Sequence, residues 1–278
     1  MADNSCKGTV ALNLYLNLSL PPNLLHLDKI KVAAVSYLNT KPLLYGIRQH
    51  EVLKKMDLIE DYPAKIAQML IDGEVDLGLI PVAAIPKLRE YHIVTDYCIG
   101  SDGAVASVCL FSDVPIWEIE KVYLDYQSRT SVRLAQLLLN QYWKKDVEYI
   151  DATGEDFRDK ISGTTAGVVI GDRALEQRLQ SKYIYDLGEA WKAHTGLPFV
   201  FAAWIANKQL PDAFLKKFNE ANGIGIAKLD NVVIQNPFAS YDLKKYYTQN
   251  IDYRLDKDKR AGLQLFLSML TNKKQKSM

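Results

Sequence analysis

KVAAVSYLNTKPLLYG, residues 31–46, is the stretch on which the fold turns. Val32, Ala33, Ala34 and Val35 form a short apolar run with β-branched ends, the pattern of a buried strand. The polar residues Ser36, Asn39 and Thr40 follow, with Tyr37 among them. Pro42 then precedes an apolar, helix-compatible run through Leu43, Leu44 and Ile47. Proline suits a first helical turn because it has no N–H to lose there, and Asn39 or Thr40 can cap that helix. A strand ending in a polar turn and a helix N-terminus is where α/β proteins place ligands. Free N–H groups and the positive end of the helix dipole favour an anion there. An ordinary capped connection makes the same pattern, so on this reading Asn39 is either a cap or a ligand contact.

The pattern recurs downstream. Lys121 to Leu124 reads as a strand, Asp125 to Ser131 as a polar turn, and leucines at 134, 137, 138 and 139 mark a helix. Ser128, Thr130 or Ser131 can cap it, or with Arg129 they can form a second anion site. Two further segments share one order of elements. Lys65 to Pro81 reads helix, small turn, VDLGLI; Asp159 to Asp172 reads helix, small turn, AGVVI. That order predicts two α/β lobes of similar build. Ala104 to Phe111 is expected to be a strand with Ser107 in its middle, and Trp191 to Pro198 a turn-rich segment. Ala104 to Ser112 and Phe199 to Ala206 are the expected crossings between lobes. Lobe 1 then holds residues 31–111 and 207–278, lobe 2 holds 112–206, and a ligand sits in the cleft between them.

Composition narrows the functional classes. The chain has 278 residues, 48% hydrophobic and 24% charged, the profile of a soluble globular protein. Its 34 basic and 33 acidic residues nearly cancel, which gives nucleic acid and membrane surfaces no electrostatic hold. Cys6, Cys98 and Cys109 are widely spaced and the four histidines are scattered, so neither a disulfide framework nor a metal site is indicated. No glycine-rich phosphate loop or dinucleotide fingerprint occurs, and no cofactor is expected. Val10 to Leu20 is too short to span a bilayer and is broken by Asn13, Asn17 and Ser19. Residues 1–30 therefore read as an extension outside the core, and the location as cytoplasmic. Oligomeric state is not legible.

Ser107 lies in an apolar run and must find either a backbone partner or a ligand. It has neither a nucleophile elbow nor a histidine base, which argues against a Ser–His hydrolase. Asp172, after AGVVI, can orient a ligand hydroxyl or cap its own helix. Trp191 can wall a pocket or fill the core.

Taken together, these segments resemble the chorismate dehydratases of menaquinone biosynthesis. The resemblance runs through SYLNTKPL at 36–43, DLGLIP at 76–81, GSDGAVASV at 100–108, SRTSV at 128–132, GDRAL at 171–175, and DLGEAW with TGLPFVFA between 186 and 202. It covers about residues 31–270. It implies a two-lobed type II periplasmic-binding-protein fold with a cleft and two crossing strands. It also implies cofactor-free loss of water from chorismate, giving 3-(1-carboxyvinyloxy)benzoate in the futalosine route. By resemblance, Asn39 and Ser107 are the catalytic residues, and the substrate's own enolpyruvyl carboxylate is the base. Ser36, Tyr37, Thr40, Ser101, Ser128, Thr130, Ser131, Asp172 and Trp191 are then expected around the substrate, whose two carboxylates match the two polar turns. The competing reading is a non-catalytic receptor for a small carboxylate on the same fold.

Overall fold

The computed structural model describes residues 29–275. Of the expected N-terminal extension, residues 1–28 lie outside the described residues, while Ile30 already opens the first strand. Two sheets organise the rest. The first has six strands: β1 (Ile30–Val35), β2 (Met56–Asp61), β3 (Leu77–Pro81), β4 (His92–Ser101), β10 (Phe199–Ala206) and β11 (Asp252–Arg254), in the order β11-β4-β10-β3-β1-β2. The second has five: β5 (Val108–Ser112), β6 (Lys121–Leu124), β7 (Glu148–Asp151), β8 (Thr165–Ile170) and β9 (Tyr183–Asp186), in the order β7-β6-β8-β5-β9. β1 runs parallel to β2 and β3, and β6 runs parallel to β7 and β8. β10 and β5 are antiparallel to their neighbours, so both sheets are mixed.

The helices are α1 (Lys41–Gln49), α2 (Pro63–Ile71), α3 (Thr130–Gln141), α4 (Asp172–Gln177), α5 (Leu187–Thr195), α6 (Asp212–Ile226), α7 (Leu229–Gln235), α8 (Leu243–Lys245) and α9 (Lys257–Gln275). α1 follows β1 after one short 3-10 turn, and α3 follows β6 after the Asp125–Arg129 turn. Both expected strand–turn–helix units are therefore present, one on each sheet. α1 is fixed by close backbone contact with α6. A Cβ at Gly225 would sit 1.7 Å from the Pro42 carbonyl oxygen, and one at Gly46 would sit 1.9 Å from the Ala221 oxygen. Only glycine permits that approach.

β10 supplies the centre of the core: all 8 of its residues are buried. Trp204 packs edge-on against Phe218 with ring centroids 4.8 Å apart. β10 is not a crossing strand, because it pairs along its length with β3 and β4 of the first sheet. The return crossing is instead made upstream, through α5 and residues 196–198. The outward crossing falls between β4 and β5, at residues 102–107. One local expectation also changes. Trp191 to Pro198 is largely helical, because Asp186 caps α5 by accepting from the Gly188 and Glu189 N–H groups. Val82–Lys87 forms a 3-10 helix with Pro86 inside it, and that proline lacks the N–H an α-helix needs.

Candidate functional site

A narrow cavity lies between the sheets. Val35, Ile99, Val108, Ile170 and Phe201 give it apolar walls, and Tyr37, Asn39, Ser128, Thr130 and Ser131 add polar groups. The two polar turns thus converge on one cavity.

The first turn, Leu38–Thr40, carries no side-chain cap, and neither does α1. Asn39 is therefore not the cap that its sequence position allows. Its Oδ1 accepts from Thr40 Oγ1 at 3.1 Å, and its main-chain oxygen accepts from Tyr253 Oη at 2.9 Å. Thr40 itself is fully buried and does not line the cavity; it orients Asn39. Across the cleft, Asp172 Oδ1 accepts the Leu38 N–H at 2.9 Å. Burial pushes the Asp172 carboxyl up to about 6, against the Leu38 N–H and Lys41, which lower it. Tyr37 donates to Gln127 Oε1 from the other lobe, and burial raises its phenol above the ordinary value. Its ring packs on Gly171 so closely that a Cβ there would meet it at 2.7 Å, and Gly171 has φ +67. Glycine is required at 171 on both counts.

The second turn is built differently. Ser128 Oγ, one residue before the N-cap Arg129, accepts the Ser131 N–H of the first turn at 3.1 Å, while Arg129 itself carries no side-chain cap. Thr130 Oγ1 accepts the Ala83 N–H at 3.1 Å, a contact from the opposite sheet's side of the cleft. Behind them, Asp125 is buried and receives Arg173 Nη2 at 3.0 and 2.8 Å on its two oxygens, with N–H groups of Gln127 and Ile170 completing its shell. This buried ion pair holds the turn against β8.

Ser107 is not in the middle of a strand; it is the residue before β5. The Ser107 N–H donates to the Val105 oxygen at 2.8 Å across Ala106, which has φ 63. Such a tight γ-turn at a non-glycine residue is strained and must be held by its surroundings. Buried Asp186 does so, accepting the Val105 N–H at 3.0 Å and the Ala106 N–H at 2.7 Å. Arg178 adds a bond to the Ala106 oxygen at 3.2 Å. Ser107 Oγ accepts from Tyr246 Oη at 2.7 Å. Tyr246, Tyr247 and Tyr253 are buried here, and sequence reading passed over all three. They lie more than a hundred residues from Asn39 and Ser107, in no motif. The signal that could have marked them is the pair of adjacent tyrosines, Tyr246 and Tyr247.

Besides Thr40, neither Asp172 nor the fully buried Ser107 lines the cavity, and three further expected contacts lie away from it. Ser36 is exposed, and its N–H extends the β1–β2 ladder by donating to the Asp61 oxygen at 3.1 Å. Ser101 is buried at the end of β4, with no hydrogen-bond partner for its hydroxyl and α5 against it at Gly188. Trp191 is a core residue: it is fully buried, packs edge-on against Phe199 and Phe266, and donates to the Pro198 oxygen. Among the described residues, no group of histidine, cysteine and acidic side chains could hold a metal ion, and no helix is long and apolar enough to cross a membrane.

Two mixed α/β lobes around a cleft define a periplasmic-binding-protein-like fold, and solved structures agree. A protein from Archaeoglobus fulgidus superposes with a TM-score of 0.73 at 15% identity, covering 90% of this chain and 99% of that one. The periplasmic aliphatic sulphonate binding protein of Escherichia coli gives 0.57 at 14% identity, covering 89% and 93%. Within that fold, the family model described as menaquinone biosynthesis matches residues 30–272, and the chain belongs to that family. It is similar to the chorismate dehydratase of Thermus thermophilus, with 26% identity over 257 residues, 84% of this chain and 92% of that protein. It is also similar to the chorismate dehydratase of Campylobacter jejuni, with 27% identity over 252 residues, 84% and 94%.

Proposed function

We propose that the chain is a chorismate dehydratase, a carbon–oxygen lyase that converts chorismate to 3-(1-carboxyvinyloxy)benzoate and water on the futalosine route to menaquinone. The observation that carries this reading is the convergence of Asn39 and the Ser128–Ser131 turn on one cavity, in a chain of the menaquinone-biosynthesis family. The lobes divide near residue 104 and again near residue 197, and the site lies between them. A cytoplasmic location goes with this reading.

In this reading the proton on the ring carbon bearing the enolpyruvyl ether passes to the substrate's own enolpyruvyl carboxylate. The electron pair left behind completes the aromatic ring as the neighbouring hydroxyl departs. That hydroxyl and one proton make the water released. Asn39 is free of capping duty, so its amide can orient the substrate and stabilise developing charge. Ser107 holds a substrate carboxylate or the departing oxygen. The first turns of α1 and α3 offer N–H groups to the carboxylates, with Tyr37, Thr130 and Ser131 beside them. Asp172 takes a supporting part by fixing the Leu38 N–H.

The test is to incubate the purified full chain with chorismate and follow absorbance and product mass. The expected result is an aromatic product lighter by one water. Binding without turnover would reject the lyase and favour a receptor on the same fold.

A further inference from the structure

Tyr246 opens a single π-helical turn, Tyr246–Asn250, closed by the Ile251 N–H donating to the Tyr246 oxygen at 3.0 Å. Isolated π turns recur at functional sites because they re-aim one side chain. Here the turn sends a buried phenol into the space between Asn39 and Ser107. Tyr246 Oη donates to Ser107 Oγ at 2.7 Å, and the Asn39 side chain lies beside the same phenol. A serine hydroxyl has one proton and two lone pairs. With Tyr246 donating to it, Ser107 keeps its own proton, and among the described residues that proton meets no protein acceptor. Ser107 is bracketed by two cavity-lining residues: Val108 follows it in the chain, and the Gly171 N–H donates to its main-chain oxygen at 2.8 Å.

We infer that Tyr246 is a positioning residue that joins Asn39 and Ser107 into one directional chain and leaves the Ser107 proton for the departing substrate oxygen. The inference rests on the chorismate dehydratase reading and adds a residue to it. The Asn39 side chain backs the phenol, the phenol donates to Ser107, and the Ser107 hydroxyl is left as a donor with a fixed rotor. Each link strengthens the next donor, as chained hydrogen bonds do in a dry site. Burial raises the Tyr246 phenol well above its ordinary value, so it keeps its proton at neutral pH and has it to donate.

The experiment compares Tyr246→Phe with wild type and with Tyr241→Phe. Tyr241 packs on the Tyr246 ring but gives its hydroxyl to Asn250 Oδ1. Tyr246→Phe is expected to lower kcat roughly 10- to 50-fold with KM changed by less than about threefold, while Tyr241→Phe stays within about twofold of wild type. A second measurement needs no change at Tyr246. Asn39→Ala and Ser107→Ala, combined, should lose at least about tenfold less than the product of their separate losses, because they break one chain. This cycle decides the matter if Tyr246→Phe does not fold. Normal turnover by folded Tyr246→Phe, or additive losses in the cycle, would overturn the inference and leave the dehydratase reading standing. Failure of the wild type to turn over chorismate would overturn both.

Discussion

The two strand–turn–helix units read alike in sequence and are built to different ends. In the first, no side chain caps α1, and Asn39 instead meets its neighbour Thr40 and two tyrosines from the far end of the chain. In the second, Ser128 reaches the Ser131 N–H from outside the N-cap, Thr130 is committed to the Ala83 N–H, and a buried ion pair braces the turn from behind. A polar cluster after a strand therefore carries two meanings. Where the helix start is left uncapped, the polar side chain is available for a ligand. Where the hydroxyls are already bonded, they fix the shape of the site and leave binding mainly to backbone N–H groups.

Perturbing the bracing of each turn tests this contrast. The largest effect should come from Arg173→Ala in the second unit. It leaves Asp125, whose side chain is 0% exposed, without its cation. An unpaired buried charge costs about 3–5 kcal/mol, read as a lower urea midpoint at constant slope. A loss below about 1 kcal/mol would mean that the ion pair does not brace the turn.

Asp172→Asn should act in the opposite direction, on the contact that ties the first turn to the other lobe. Burial raises the Asp172 carboxyl from 3.8 to about 6, so the folded chain holds this proton more tightly than the unfolded chain does. The carboxylate therefore opposes folding in full above about 6, and the penalty fades as pH falls towards 3.8. Asparagine keeps an oxygen for the Leu38 N–H and removes the charge. The variant should gain about 2 kcal/mol well above the raised value, discounted for partial exposure, and nothing below the ordinary one. A gain that persists in acid would contradict that cause.

Ser128→Ala should have the smallest effect, a loss of about 1 kcal/mol in stability from removing one hydrogen bond to the first turn. Its turnover of chorismate should fall far less than that of an Asn39 variant. An equal fall would place Ser128 in direct contact with substrate and erase the contrast between the turns.

Much of the frame was legible from the chain. β1, β3, β8 and β10 are apolar runs, and the leucines of α3 mark its buried face, so periodicity finds them. β2 was invisible because it is an edge strand, MDLIED, whose acidic residues reach solvent and break any apolar run. The placement of β10 depended on pairing, which a single strand's composition does not encode. Trp191 was misplaced because an aromatic residue before a Gly–Leu–Pro turn suits a pocket wall as well as a core. Asn39 and the Ser128–Ser131 turn could be picked out as candidates from local pattern. Their different duties could not, since those are set by Ala83, Tyr246 and Tyr253, which are distant in sequence and adjacent only after folding.

The most direct test of the first turn's role is to measure chorismate turnover and binding side by side for wild type and Asn39→Ala. Asn39 supplies charge stabilisation rather than a cap, so the variant should keep its thermal midpoint and bind chorismate nearly as well as wild type. It should lose roughly 10²- to 10³-fold in kcat, the effect of removing one such donor. Turnover near the wild-type rate, or a fall in stability that accounts for the lost activity, would contradict the assignment.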